Sequence, residues 1–255
     1  MQTATLSALS RNDYQAYLAG MLVIAFLCHV AVLLANQFTF TSIYITLFDF
    51  ASGIAVGALI VYGVRYWPAV LIGIASAHMV NQEPVPFVIA ASMAVTIEAV
   101  IAARLVRYFL HEHYGLDYIP DLLKYFLIAS SVVVVLGGTL LTVILLLIGQ
   151  ADLNEIGFVW ANACMGKLTG VAVLTPFIMV WNQKADKTEA WPKLFELIFL
   201  IVVLLFCSGV VFLGWFDANI SGYSRYPLAY LVFPILAWAA FRFGQRVSTA
   251  VIITV

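Results

Sequence analysis

The chain has 255 residues, of which 64% are hydrophobic and only 10% are charged, and its mean hydropathy is +1.03. A soluble domain carries about 25% charged residues, so this composition excludes a soluble protein and indicates an integral membrane protein. The net charge of −1 argues against nucleic-acid binding, and the three cysteines lie inside apolar runs without metal or disulfide spacing.

Long, continuous apolar runs follow one another and predict an all-α, polytopic bundle of transmembrane helices. A bilayer core of about 30 Å needs roughly 20 helical residues, whereas strands of a transmembrane barrel would alternate in polarity. Eight complete spans are predicted, at 14–34, 43–63, 67–81, 85–108, 122–148, 154–182, 194–216 and 226–242. A ninth run begins near Val247 and is still apolar at Val255, so we expect residues 1–255 to be one membrane domain of a longer protein.

The basic residues predict how the helices are oriented. With the N-terminus in the cytoplasm, the cytoplasmic segments hold ten of the twelve Lys and Arg residues. Cytoplasmic loops of membrane proteins are enriched in these residues, so we predict that both ends of the intact protein are cytoplasmic. The loops at 149–155 and 216–225 then lie outside.

Four ionisable residues within the predicted spans are energetically costly there. A lysine at the centre of a membrane helix costs about 2.5–3.5 kcal/mol, so Lys167 should face protein or a water-filled cavity. At 1.5 Å per residue, Lys167 and Glu98 lie at matching depths, about 17 and 18 Å below the outer face. Asp49 lies in the outer half of the second span, and His78 lies near the outer end of the third.

We therefore predict that Lys167 forms a buried ion pair with Asp49, Glu98 or both, because an unpaired buried charge destabilises a fold. Two GxxxG spacings, Gly53–Gly57 and Gly166–Gly170, let the helices that carry these groups approach closely. Glu98 could instead be protonated, which would make it a proton-sensitive group. A lone histidine such as His29 in the first span is more often a helix-contact donor than a ligand.

The polar residues outline a funnel from the outer face to the midplane, which indicates a ligand-binding or sensing site. Anionic amphiphiles would suit Lys167, and protonation would act at Glu98 or His78. The alternative is a purely structural ion pair. The candidate site residues are Asp49, Ser52, His78, Glu98, Trp160, Asn162 and Lys167.

No metal site, cofactor or catalytic residue is predicted. His111 and His113 form an HxH pair in a polar loop, which is weak evidence for a metal. Phosphate-binding, metalloprotease, nucleophile-elbow and dinucleotide motifs are absent from the sequence, so we predict no enzymatic activity for this region.

Several motifs, in a consistent order over about residues 15–255, resemble the membrane-associated sensor domain of the first class (the MASE-one family). They are Phe50-Ala-Ser-Gly53, Tyr66-Trp67-Pro68-Ala69 within 63–73, Ile97-Glu98-Ala99, the run 166–176 with Trp181, and Arg242-Phe243-Gly244.

The chain departs from the family pattern at a few positions. Asp49 stands where the family usually has tryptophan, and Ala51 stands where it has proline. Lys167 stands where the family usually has an acidic residue, and His78 stands where it often has asparagine. An acid gained in one helix and a base gained in another indicate a compensated pair.

The resemblance implies a multi-pass sensory domain of the bacterial inner (cell) membrane that transmits a signal to a cytoplasmic output domain. That output domain, a histidine kinase or a cyclic-di-GMP synthase or phosphodiesterase, would lie outside this chain. The partners implied are membrane lipids, an unknown small ligand or proton, and the output domain; a homodimer is also compatible with this reading. The alternatives are a small-solute or ion transporter, which should show inverted repeats or broken helices, and an assembly domain with purely structural charges.

Overall fold

The computed structural model describes residues 11–37, 48–110, 119–182 and 198–206, with the short pieces 249–250 and 252–253. Every regular element in these ranges is helical, which confirms the predicted all-α class. Two compact units are present, Met1–Met179 and Val180–Val255. In the second unit, residues 198–206 form a helix.

The first unit and its boundary contain seven α-helices within the described ranges. They are α1 (Arg11–Asn36), α2 (Phe50–Tyr62), α3 (Trp67–Val80), α4 (Val85–Leu110), α5 (Ile119–Ser131), α6 (Gly138–Leu147) and α7 (Ile156–Trp181). A π-helical segment, Val132–Gly137, joins α5 to α6, so these two helices occupy the predicted fifth span together. Short 3₁₀ turns precede α3 and α7, at Val64–Tyr66 and Leu153–Glu155.

Four of the predicted spans correspond to helical segments long and apolar enough to cross a membrane. These segments are Asp13–Asn36, Val85–Phe109, Leu127–Leu147 and Leu153–Trp181. Helices α2 and α3 have only 13 and 14 residues, short of the roughly 20 that a bilayer core requires. The prediction of eight complete spans is therefore not confirmed. The span at 226–242 and the Arg242-Phe243-Gly244 motif lie outside the described residues, as does most of 194–216.

Helices α1 and α3 run in the same direction and pack through small residues. A side chain at Gly73 of α3 would overlap the backbone of Ala25 in α1. One turn further along both helices, His29 Nδ1 and Ser76 Oγ are hydrogen bonded at 2.8 Å. This contact confirms the prediction that His29 joins two helices.

Helix α2 packs parallel to α7 through two glycines. A Cβ atom at Gly53 would overlap the Gly170 carbonyl group, and one at Gly170 would overlap the backbone of Asp49. Thr175 Oγ1 donates to the Gly53 carbonyl oxygen at 2.8 Å. The close approach expected from the GxxxG spacings is therefore present, with Gly53 and Gly170 at the contact.

Charged side chains stabilise both ends of α2. Asp49 is the N-cap, and its Oδ1 accepts from the backbone N–H of Ser52 at 3.0 Å. At the other end, Arg107 of α4 donates to the Ile60 carbonyl oxygen from Nε at 2.9 Å and from Nη2 at 2.6 Å. An acid at the start and a base at the end both complement the helix dipole. Asp49 thus begins α2, whereas the sequence predicts it inside a helix over 43–63.

The glycine contact predicts a selective effect of added methyl groups. Gly53→Ala should lower the melting temperature in detergent, because overpacking typically costs about 1–3 kcal/mol. Gly157→Ala is the matched control: a methyl group added to Gly157 of α7 would meet no atom of another described residue within 4 Å, and alanine favours helix. Thermal unfolding followed by size-exclusion chromatography compares the two variants. Equal melting temperatures would contradict the α2–α7 contact.

Candidate functional site

Lys167 lies in the middle of α7 and is only 2% exposed. Its Nζ donates to Asp49 Oδ2 at 3.0 Å, to Ser52 Oγ at 3.0 Å and to Glu98 Oε1 at 2.7 Å. An ammonium group has three N–H donors, so these bonds use all of them. The predicted ion pair is confirmed, and it includes both carboxylates. We refer to Asp49, Ser52, Glu98 and Lys167 as the charge cluster.

Ser52 lies at the centre of the charge cluster and is fully buried. Its Oγ lies 2.7 Å from Asp49 Oδ2 and 2.6 Å from Glu98 Oε1. The hydroxyl therefore joins the N-terminus of α2 to α4, while Lys167 joins both to α7. One set of polar contacts therefore connects the three helices α2, α4 and α7.

Glu98 has one carboxylate oxygen that the cluster does not use. The side chain is 0% exposed, and Oε2 has no hydrogen-bond partner within the described residues. Any side chain at Gly137 would collide with this oxygen. Gly137 ends the π-helical segment before α6, and such segments are frequent at functional sites. Gly137 was not among the predicted site residues; the only hint in the sequence is the Gly137–Gly138 pair within an apolar run.

A cavity of about 80 Å³ reaches the charge cluster. Its lining is mostly apolar, with polar groups at Asn36, Asp49, His78, Glu83 and Lys167. A buried water needs roughly 10–15 Å³, whereas pockets for drug-sized ligands measure about 300–1,000 Å³. The cavity therefore suits a few water molecules or a small ion, and its size does not favour the amphiphile considered from the sequence.

His78 lies on this cavity but outside the charge cluster. It belongs to the last turn of α3, and its Nδ1 lies 2.7 Å from Glu83 Oε2 in the following turn. The His78 ring also contacts Phe87 of α4 edge-to-face at a centroid distance of 5.3 Å. His78 and Glu83 thus form a second polar pair. Glu83 was not among the predicted site residues.

Trp160 and Asn162 do not line the cavity. Trp160 Nε1 donates to Thr139 Oγ1 of α6 at 3.1 Å, and the residue is 42% exposed. Asn162 Nδ2 donates to the Phe158 carbonyl oxygen of its own helix. Asn162 precedes Lys167 by five residues, which turns it about 140° around the helix. The structure therefore separates these two residues from the other candidates.

The described residues contain no group of three or more His, Cys, Asp or Glu that could hold a metal ion. The His111–His113 pair lies outside the described ranges.

Breaking the charge cluster should destabilise the protein. Lys167→Met leaves two carboxylates without their counter-ion, and removing one partner of a buried pair costs about 3–5 kcal/mol. A second change, Glu98→Gln, should restore part of this loss because it removes one uncompensated charge. Melting temperatures in detergent measure both effects. Lys124→Met, at an exposed position of α5, is the control and should lower the melting temperature much less than Lys167→Met, because exposed ion pairs contribute only about 0–1 kcal/mol. A double variant no more stable than Lys167→Met would contradict the coupling.

Comparison with known proteins gives a family for this chain. No curated protein and no solved structure matches the chain. The MASE1 family model matches residues 18–255, which is nearly the whole sequence and includes every helix that forms the charge cluster. The chain therefore belongs to the MASE1 family of membrane-associated sensor domains.

Proposed function

We propose that this chain is the sensory input domain of a bacterial inner-membrane signalling protein, and that its charge cluster senses protons. The output domain, a histidine kinase or a cyclic-di-GMP enzyme, lies outside this chain. The family match supports the sensory role, since MASE1 domains are sensory rather than catalytic. The match spans both compact units, which supports treating residues 1–255 as one sensory domain.

The hydrogen bonds of the charge cluster carry the proton proposal. Lys167 supplies three hydrogens, and the Ser52 hydroxyl supplies a fourth. Five short contacts connect the four residues: three from Lys167, and those of Ser52 with Asp49 and Glu98. Without a fifth hydrogen, one contact would bring a hydroxyl lone pair against a carboxylate. One proton on a carboxyl group completes the network and also balances two acids against one base.

The cavity supports an exchange of this proton with water. Asp49 retains 19% side-chain exposure and lines the cavity together with Lys167. His78 and Glu83 line the same cavity, which is large enough for a few water molecules. Among the described residues, the titratable groups around the site are these four, Glu98, and the thiols of Cys28 and Cys164, which interact electrostatically with Asp49 and Lys167.

The contacts of α2 supply a route from proton binding to helix packing. Protonation changes the charge of the α2 N-cap or of its partner Glu98, while Arg107 holds the other end of α2 to α4. The α2 interface consists largely of Gly, Ala and Ser, which gives close contact but little side-chain interlocking. A proton shifts such an equilibrium only if its affinity differs between two arrangements. We propose that the two arrangements differ in how α2 packs on α4 and α7.

Output measurements test this proposal on the full-length protein at matched expression. Wild-type output should change with external pH. Glu98→Gln should hold the output near its low-pH level at every pH, because it imitates the protonated carboxyl group. Lys167→Met should abolish the pH response, and His78→Ala should reduce it.

The control is Asn162→Ala, which changes a polar residue of α7 outside the cavity and should keep the wild-type response. If Glu98→Gln retains the full pH response, the proton site is wrong. If all the cluster variants fold and keep wild-type output under every condition, the cluster is structural.

Ion or solute transport is the second candidate function, and the start of α2 favours it. This short helix begins at the charge cluster, as interrupted helices of transporters begin at their substrate sites. Reconstituted liposomes distinguish the two functions. Proton or labelled-solute flux that stops in Lys167→Met would favour transport, and intact signalling without flux favours the sensor.

We also propose that the N-terminus is cytoplasmic, because the basic residues concentrate on one side. Asp152→Cys and Lys187→Cys, each in a chain without other cysteines, should differ in labelling by an impermeant thiol reagent. Position 152 should react in intact spheroplasts, and position 187 should react only after lysis. The reverse pattern would overturn the topology.

A further inference from the structure

A second, larger depression lies away from the charge cluster, between the start of α3 and residues 93–104 of α4. It measures about 280 Å³ and is lined mostly by apolar side chains, among them Trp67, Leu71, Met93 and Val100. Arg104 lies at one end. The groove therefore combines an apolar channel with one cation.

Arg104 differs from the other two arginines at this end of the helices. Arg107 donates to the α2 carbonyl groups, and Arg65 lies over the rings of Tyr17 and Tyr66. Arg104 is exposed and has no hydrogen-bond or ion-pair partner in the described ranges. No described residue occupies its guanidinium group, which can therefore pair with an anion.

The groove opens where lipid should be. Helix α4 is one of the segments long enough to span a membrane, and Arg104 follows Val85 by 19 residues. This distance is about 28 Å along the helix, close to the edge of a core about 30 Å thick. Trp67, 46% exposed, lies at the same end, as tryptophans do at membrane interfaces.

We propose that this groove binds one acyl chain of an anionic phospholipid, whose phosphate pairs with Arg104. The groove runs from Arg104 to Met93, which is about 16 Å along α4 and suits an extended acyl chain. A guanidinium group binds phosphate through two parallel hydrogen bonds, so the headgroup is recognised by charge and shape. Under the proposed topology this is the cytoplasmic leaflet, where anionic lipids attract basic residues.

Lipid titration of the full-length protein in detergent tests the proposal. Phosphatidylglycerol should raise the melting temperature in a saturable way, and phosphatidylcholine with the same acyl chains should do so much less. Arg104→Gln should require at least about tenfold more phosphatidylglycerol, since a charge-assisted hydrogen bond contributes about 1.5–3 kcal/mol. Arg65→Gln removes a charge at the same end of the helices and should keep the wild-type titration. Equal effects of the two lipids on the wild type, or an unchanged titration for Arg104→Gln, would overturn the proposal.

Fluorescence quenching then locates the acyl chain. Phosphatidylglycerol with brominated chains should quench the wild type more than Trp67→Phe, because Trp67 lines the groove. Val100→Phe places a larger side chain in the groove and should exclude the acyl chain. Its quenching should therefore fall to the level of Trp67→Phe while the protein remains folded. Quenching that is the same in all three proteins would place the lipid elsewhere and refute the site. Both measurements are independent of the pH response, so failure of one proposal does not imply failure of the other.

Discussion

The fold depends on the neutralisation of one ammonium group in the middle of a membrane helix. Lys167 cannot face lipid, and the structure meets this constraint with two carboxylates and a hydroxyl from two other helices. Removing a single partner leaves a buried charge uncompensated, which costs more than the intact cluster contributes. The hydrogen bonds and ion pairs of the charge cluster therefore fix the relative positions of these helices, in addition to apolar packing.

Helix α2 is where this constraint acts most directly. Its N-cap, Asp49, is a member of the charge cluster, and its C-terminal carbonyl groups are bound by Arg107. Gly53 and Gly170 let its backbone approach that of α7, which brings Asp49 and Ser52 within reach of Lys167. We propose that a change of charge at one end of α2 alters the contacts along its length, and this is the physical basis of the proposed sensor.

The two proposed sites use different parts of α4. Glu98 belongs to the charge cluster, and Arg104 lines the proposed lipid groove six residues later, so α4 carries residues of both proposed sites. The small cavity and the fully used Lys167 donors argue against a large anionic ligand at the cluster. The proposed lipid groove is mostly apolar and larger, and its cation, Arg104, has no partner among the described residues. The two proposed sites thus differ in cavity size and in the hydrogen-bond donors left unused. We therefore expect a proton at the charge cluster and an anionic phospholipid at the groove.

The all-helical membrane architecture and the pairing of Lys167 with acids could be predicted from the sequence. Both predictions follow from the free-energy cost of placing a polar group in lipid. This cost depends only on the residue type and on its position along a span. Only the tertiary structure decided that both acids and Ser52 share the lysine, and that Trp160 and Asn162 lie outside the cavity. It also showed that α2 starts at Asp49, that Gly137 makes room for Glu98, and that Arg104 has no partner within the described residues. These features depend on which helix faces meet, and contacts between residues 40 to 120 positions apart leave no periodic signal in the chain.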